Sequence, residues 1–263
     1  MSTNRFLRRH EWAIPTGLIL LALVPVVAGA VRTVELSGDP TVTPGNARFV
    51  ADPVPVLVHI VTASVYCLLG AFQFMPGFRR RRPGWHRVAG RLLVPAGILA
   101  ALSGMWMAAF YPLMPIDGAF LIGLRLFFGG AMAGCIVLGL HAILRRDVSR
   151  HRAWMIRGYA IGQGAGTQFL THLPWLVVAE PPGELTRAWL HAAGWLINLA
   201  VAEWIIRHGS AAPAGPGRPS APASPASVDS GAATDTDRGG PRTPLRPAGR
   251  FSPWTSRRRS PLG

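Results

Sequence analysis

Six histidines lie inside or at the ends of long apolar runs: His59, His86, His141, His151, His172 and His191. A neutral imidazole can ligate iron through one ring nitrogen, and it gains or loses a proton near neutral pH. Imidazoles brought together from facing helices at equal depth are what two b-type haems, or one haem and a quinone pocket, need across a membrane. Four charged residues, Arg91, Arg125, Arg157 and Glu203, also lie in or beside apolar runs, where an unpaired charge is costly. Glu203 is at the depth to pair with Arg157 or Arg91, either as a structural ion pair or as part of a proton or anion path. Arg125 has no acid expected at its depth. Its candidate partners are a haem propionate, a lipid phosphate or helix-end carbonyls, and the alternative is a side chain that snorkels outward. Cys67 and Cys135 both lie in apolar runs and give neither a disulfide framework nor a thiolate metal site. The glycines at 162, 164 and 166 do not make a nucleotide loop, because no strand precedes them. No Ser-His-Asp, paired-carboxylate or metalloprotease pattern stands out.

These residues must be positioned by membrane helices. Of 263 residues, 49% are hydrophobic and only 15% charged, the composition of a chain that meets lipid. About 20 apolar residues are needed to cross the hydrocarbon core. Six runs of that kind occur, at roughly Trp12 to Val31, Val54 to Met75, Val88 to Phe110, Ala119 to Leu144, Ala153 to Val178 and Ala188 to Ile206. The fold class expected is therefore all-α, a polytopic bundle of six transmembrane helices. Its parts are a first helix and loop (1–53), a five-helix membrane core (54–208) and a Pro/Ala/Arg-rich disordered tail (209–263). The formal charge of +15 does not point to nucleic acid, because the arginines sit in short clusters between apolar runs and in the tail. All 27 basic residues are arginine, which suggests a GC-rich bacterial coding bias.

Arginine placement sets the sidedness. Arg5, Arg8 and Arg9, then Arg79 to Arg82 and Arg87, then Arg145, Arg146, Arg150 and Arg152 alternate with loops that hold Glu35, Asp39 and Asp52, then Asp117, then Glu180 and Glu184. The basic segments are expected in the cytoplasm, with both termini there, in a bacterial plasma membrane. The same arginines are suited to contact membrane lipid. On this topology His59, His172 and His191 fall in the outer third, and His86, His141 and His151 at the inner boundary. The first run, with its basic start and Ala28-Gly29-Ala30, also fits a cleaved signal peptide, although its apolar stretch is long for one; cleavage would leave five spans and the same sidedness.

At about 100° per residue, His59, Ala63, Tyr66, Gly70 and Gln73 form one stripe that should face other helices. His86, Gly90, Gly97 and Gly104 form another, and His191 shares a face with Asn198. Gly158, Gly162 and Gly166 repeat at four-residue spacing, which permits close backbone approach and offers a face for a homodimer. Three functions follow: a redox protein holding haem b or quinone, a transporter or lipid-handling protein using the Arg/Glu cluster, and a non-catalytic scaffold.

The strings His86-Arg87-Val88-Ala89-Gly90-Arg91 and His151-Arg152-Ala153-Trp154-Met155-Ile156-Arg157, with Ala202-Glu203-Trp204 later, resemble a bacterial family of predicted membrane proteins, domain-of-unknown-function family 2306. The resemblance covers roughly Pro55 to Arg207. It implies a multi-helical membrane domain and carries no established substrate, cofactor or catalytic residue. Members of that family often have an arginine after the threonine of the fifth span; here Thr167 is followed by Gln168 and Phe169.

Overall fold

The computed structural model describes residues 3–114, 116–176 and 182–208, with residues 3–11, 76 and 176 by backbone alone. The expected tail, and the end of the fifth run at Val178, lie outside the described residues. All regular structure among the described residues is helical. The helices are α1 (Thr3–Ser37), α2 (Ala47–Ala51), α3 (Pro53–Ala71), α4 (Pro76–Arg81), α5 (Pro83–Phe110), α6 (Ala119–Leu144), α7 (Val148–Gly162), α8 (Gly164–His172) and α9 (Glu184–His208). Five of the described helical segments are long and apolar enough to cross a membrane: Trp12–Ser37, Pro53–Phe74, Pro83–Phe110, Ala119–Leu144 and Glu184–His208.

The fifth of the six expected spans is cut in two. α7 ends at Gly162, Gln163 stands outside both helices, and α8 starts at Gly164. Two helix-weakening glycines flank the break. The Asn198 amide donates to the Ala160 carbonyl at 3.1 Å in the last turn of α7, which supplies a backbone group near the break with a partner in a setting that offers no water. Prolines mark the starts of α3 and α5, where a missing N–H costs nothing. Between α6 and α7 the chain turns in three residues. Arg146 sits there at φ 61°, and the Asp147 carboxylate accepts from the Arg150 N–H at 3.0 Å to cap α7.

The helices pack in the series α3, α5, α6, α7, while α8 lies on α9 and α1. The central contact is a tyrosine gripped by glycines. A Cβ at Gly97 would fall 2.6 Å from the Tyr66 ring, and one at Gly162 would fall 2.8 Å from its other edge. Tyr159 fills the space left by Gly70 in the same way and donates its hydroxyl to the Cys67 carbonyl at 2.6 Å. Between membrane helices this close approach, rather than exclusion of water, supplies the attraction. The glycine face on which a second copy was expected to pack is filled within the chain: Gly158 meets Ile136 and Cys135, Gly162 meets Tyr66 and Met132, and Gly166 meets Leu21 of α1.

Candidate functional site

A cavity of about 410 Å³ opens among these helices. Small residues make the room for it: Ala22, Ala63, Ala100, Ala101, Gly104 and Gly129 stand on its wall. His59 lines it as well, from the stripe expected to face inward. The His59 Nδ1–H donates to the Ala100 carbonyl at 2.9 Å, and the Ser103 hydroxyl oxygen lies 3.2 Å away. Ser103 in turn donates to the Leu99 carbonyl at 2.6 Å, so its oxygen is free to accept. A carbonyl can only accept, which fixes the proton on Nδ1 and leaves Nε2 as a bare acceptor without a partner among the described residues.

One end of the cavity is charged. Asp117, just ahead of α6, has a side chain 1% exposed and accepts from Arg125 Nη1 and from Arg187 Nε, each at 2.9 Å. The expectation that Arg125 lacks an acid at its depth is corrected here. Asp117 stands just before the Gly118 cap of α6, and the long Arg125 side chain, leaning toward the start of its helix, spans the eight positions between them. Burial alone would raise the Asp117 pKa; the ion pairs and hydrogen bonds with Arg125 and Arg187 outweigh it and hold the carboxyl below its ordinary 3.8.

Above this end lies α2, tied down at both sides. Asn46, 4% exposed, donates to Glu35 Oε1 at 2.6 Å and to the Thr41 carbonyl at 3.0 Å, and its own oxygen accepts from the Thr43 N–H at 2.7 Å. On the other side the Tyr111 hydroxyl donates to the Asp52 carbonyl at 2.6 Å, and its ring meets Phe49 edge to face. This clamp places Arg48 on the cavity wall beside Arg125. Neither Arg48 nor Asn46 stood out in sequence. The available signal was a pair of arginines, 32 and 48, in a loop otherwise marked by acids.

The other expected residues are distributed as follows. His172 and His191 come together, ring centres 4.7 Å apart and edge to face, with their Nδ1–H groups donated to the Gln168 carbonyl at 2.7 Å and the Arg187 carbonyl at 2.9 Å. The structure does not bring His59 to them on the cavity wall. At the arginine-rich end, His151 donates Nδ1–H to the Gly139 carbonyl at 2.8 Å and His86 lies within its electrostatic reach, while His141 is exposed. Arg91 is exposed too. Glu203 pairs with Arg157, as one of its two expected partners: Nε to Oε1 is 2.5 Å and Nη2 to Oε2 is 3.0 Å, with the guanidinium 4.9 Å from the centre of the Trp154 ring. Each charge satisfies the other, which makes this a clip between α7 and α9. Glu203→Gln is expected to cost about 1 kcal/mol of stability, read by detergent unfolding, since both side chains are partly exposed. After the threonine of this span, where the family resemblance led to an expectation of arginine, the Thr167 hydroxyl donates to Asn198 at 2.7 Å and Gln168 donates to the His191 carbonyl at 3.2 Å, so a neutral seam joins α8 to α9.

No curated protein and no solved structure matches the chain. A family model described as "Predicted membrane protein (DUF2306)" matches residues 56–206, a stretch that takes in His59, Arg125, Asp117 and both His-Arg strings. With more than half of its length inside that match, the chain belongs to the DUF2306 family of predicted membrane proteins.

Proposed function

We propose that this membrane protein binds one amphiphile inside its bundle, in the cavity lined by His59, and that the ligand is of the membrane quinol class. The observation that carries the reading is the fixed tautomer of His59. With Nδ1–H given to the Ala100 carbonyl, Nε2 can accept but not donate, so it recognises a hydroxyl-bearing head better than a bare carbonyl. The apolar remainder of the wall suits an isoprenoid or aromatic body. A bis-histidine haem at this depth fits less well. Two imidazoles ligating one iron from opposite sides stand roughly 6 Å apart centre to centre, given metal–nitrogen bonds of about 2 Å. His172 and His191 are closer than that and meet edge to face.

Extraction of the detergent-purified protein, followed by mass spectrometry and an absorption spectrum, tests the reading. The expected result is a co-purifying quinol or quinone, or uptake of added quinol, with affinity about tenfold weaker in His59→Ala and unchanged in His172→Ala. No uptake by the unmodified protein overturns it, and a Soret band would transfer the assignment to haem. The arginine pattern supports a plasma-membrane orientation with both termini in the cytoplasm and Asp117 outside. Reporter fusions at residue 117 and at the carboxyl end should then report opposite sides.

A further inference from the structure

We propose that Arg48 and Arg125 form a phosphate-binding site at the charged mouth of the cavity, above and separate from His59. Charge accounting at this end is the first support. Arg32 is held by Glu35 at 2.6 Å, while Arg125 and Arg187 share the single carboxylate of Asp117. Glu184 packs its carboxylate against Gly118 at the start of α6, and among the described residues no carboxylate lies within ion-pair distance of Arg48. Its guanidinium stands 4.7 Å from the centre of the Phe49 ring, on whose face Arg32 also rests at 4.8 Å.

The second support is an unmet donor. Arg48 Nε is buried from solvent and has no hydrogen-bond partner among the described residues, an arrangement that is costly for a charged group unless something else completes it. The surroundings add to the cost. Burial is the main influence lowering the Arg48 pKa; Asp117 opposes it, and Arg125, Arg187 and Arg32 all reinforce it. An anion placed among these guanidinium groups would relieve both the repulsion and the empty donor.

The third support is geometry. Arg125 spends Nη1 on Asp117 and stands on the same cavity wall as Arg48, so two forked donors from different elements, α6 and α2, face one opening. A carboxylate is satisfied by one fork, whereas a phosphate has enough oxygens for two. The clamp of Asn46 on Glu35 and of Tyr111 on the Asp52 carbonyl holds α2 in place before any ligand arrives, which lowers the ordering cost of binding. A phospholipid head reaching this charged wall from the surrounding membrane would supply such a phosphate. Free inorganic phosphate would satisfy the same donors.

Thermal unfolding of the delipidated full-length protein in neutral detergent, followed by tryptophan fluorescence, tests the site. The probes are phosphatidylglycerol, diacylglycerol with the same chains, and inorganic phosphate. The expected result is a rise in transition temperature with phosphatidylglycerol and none with diacylglycerol. Apparent affinity should fall about tenfold or more in Arg48→Gln and stay unchanged in Arg207→Gln, a position exposed at the far end of α9. Equal stabilisation by inorganic phosphate, also lost in Arg48→Gln, would keep the site and make free phosphate its source. Should Arg48→Gln fail to fold, Arg48→Lys decides, since it keeps the charge and loses the fork; a clear loss of affinity supports the site. The proposal is overturned if no phosphate probe stabilises the protein, or if affinity is indifferent to both Arg48 substitutions. His59→Ala should leave phosphate affinity intact, so failure of the quinol reading would not be mistaken for failure of this one.

Discussion

Asp117→Asn is expected to lower the stability of the bundle by about 2–3 kcal/mol, measured by thermal or denaturant unfolding in a mild detergent. The carboxylate is almost wholly buried and serves two guanidinium groups, from α6 and α9. An amide of the same shape keeps the packing, but it leaves Arg125 and Arg187 facing each other with no negative charge between them. Fully buried pairs cost more than this when broken; the arginine side chains here retain more than a quarter of their exposure, and water softens the loss. The same carboxylate gives the pH dependence its sign. Its pKa in the folded protein lies below the ordinary 3.8, so its contribution is fully present above that value and is lost as pH falls through the lower, folded one. Unfolding midpoints should be flat with respect to this group from neutrality down to about pH 4 and fall below it. Asp117→Asn should remove that acid limb, and an unchanged limb would show that Asp117 does not hold the two arginines together.

Gly166→Ala should be more damaging still, at about 3 kcal/mol or more, despite adding one methyl group. The added Cβ would fall on the Leu21 carbonyl oxygen, well inside contact distance, and that obstacle is backbone. The reason for the close approach lies four residues along α1. Pro25 has no N–H to offer the Leu21 carbonyl, and the bare Cα of Gly166 comes up to the oxygen that proline leaves unserved. Gly123→Ala and Gly130→Ala provide the contrast. Nothing lies within 4 Å of a Cβ at either position, so both should be neutral or slightly stabilising through helix propensity. If all three substitutions behave alike in the unfolding assay, the α1–α8 contact is not what the glycine serves. The comparison also bears on the homodimer expectation: substitutions at Gly158, Gly162 or Gly166 will disturb the protomer itself, because Tyr66, Met132 and Leu21 already occupy those notches.

The spans were legible because lipid imposes a length and a polarity that no local preference overrides, and Arg157 with Glu203 was legible because both sit at the same depth on neighbouring runs. Asp117 and Arg125 were not. Depth was assigned by counting along helices from Cα positions, and a side chain as long as arginine reaches a helix-entry carboxylate two turns away that such a count places outside the span. The cut at Gln163 carried a signal, two glycines either side of a polar residue, but the same glycines read equally well as a packing face, and both readings turn out to apply. The histidines do not all meet one another: His172 and His191 pair while His59 stands apart, because depth alone does not say which helix face meets which. His59 is turned toward α5 by the Ala100 carbonyl, whereas His172 and His191 are held by carbonyls in their own helices.

A rod sawn at mid-length no longer carries bending from one end to the other. With α7 anchored against α6 and clipped to α9 by Arg157 and Glu203, and α8 resting on α1 and α9, the two halves of this span answer to different neighbours. Occupancy of the proposed site should therefore register as a local tilt of α8 against α1 and leave the arginine-rich surface undisturbed.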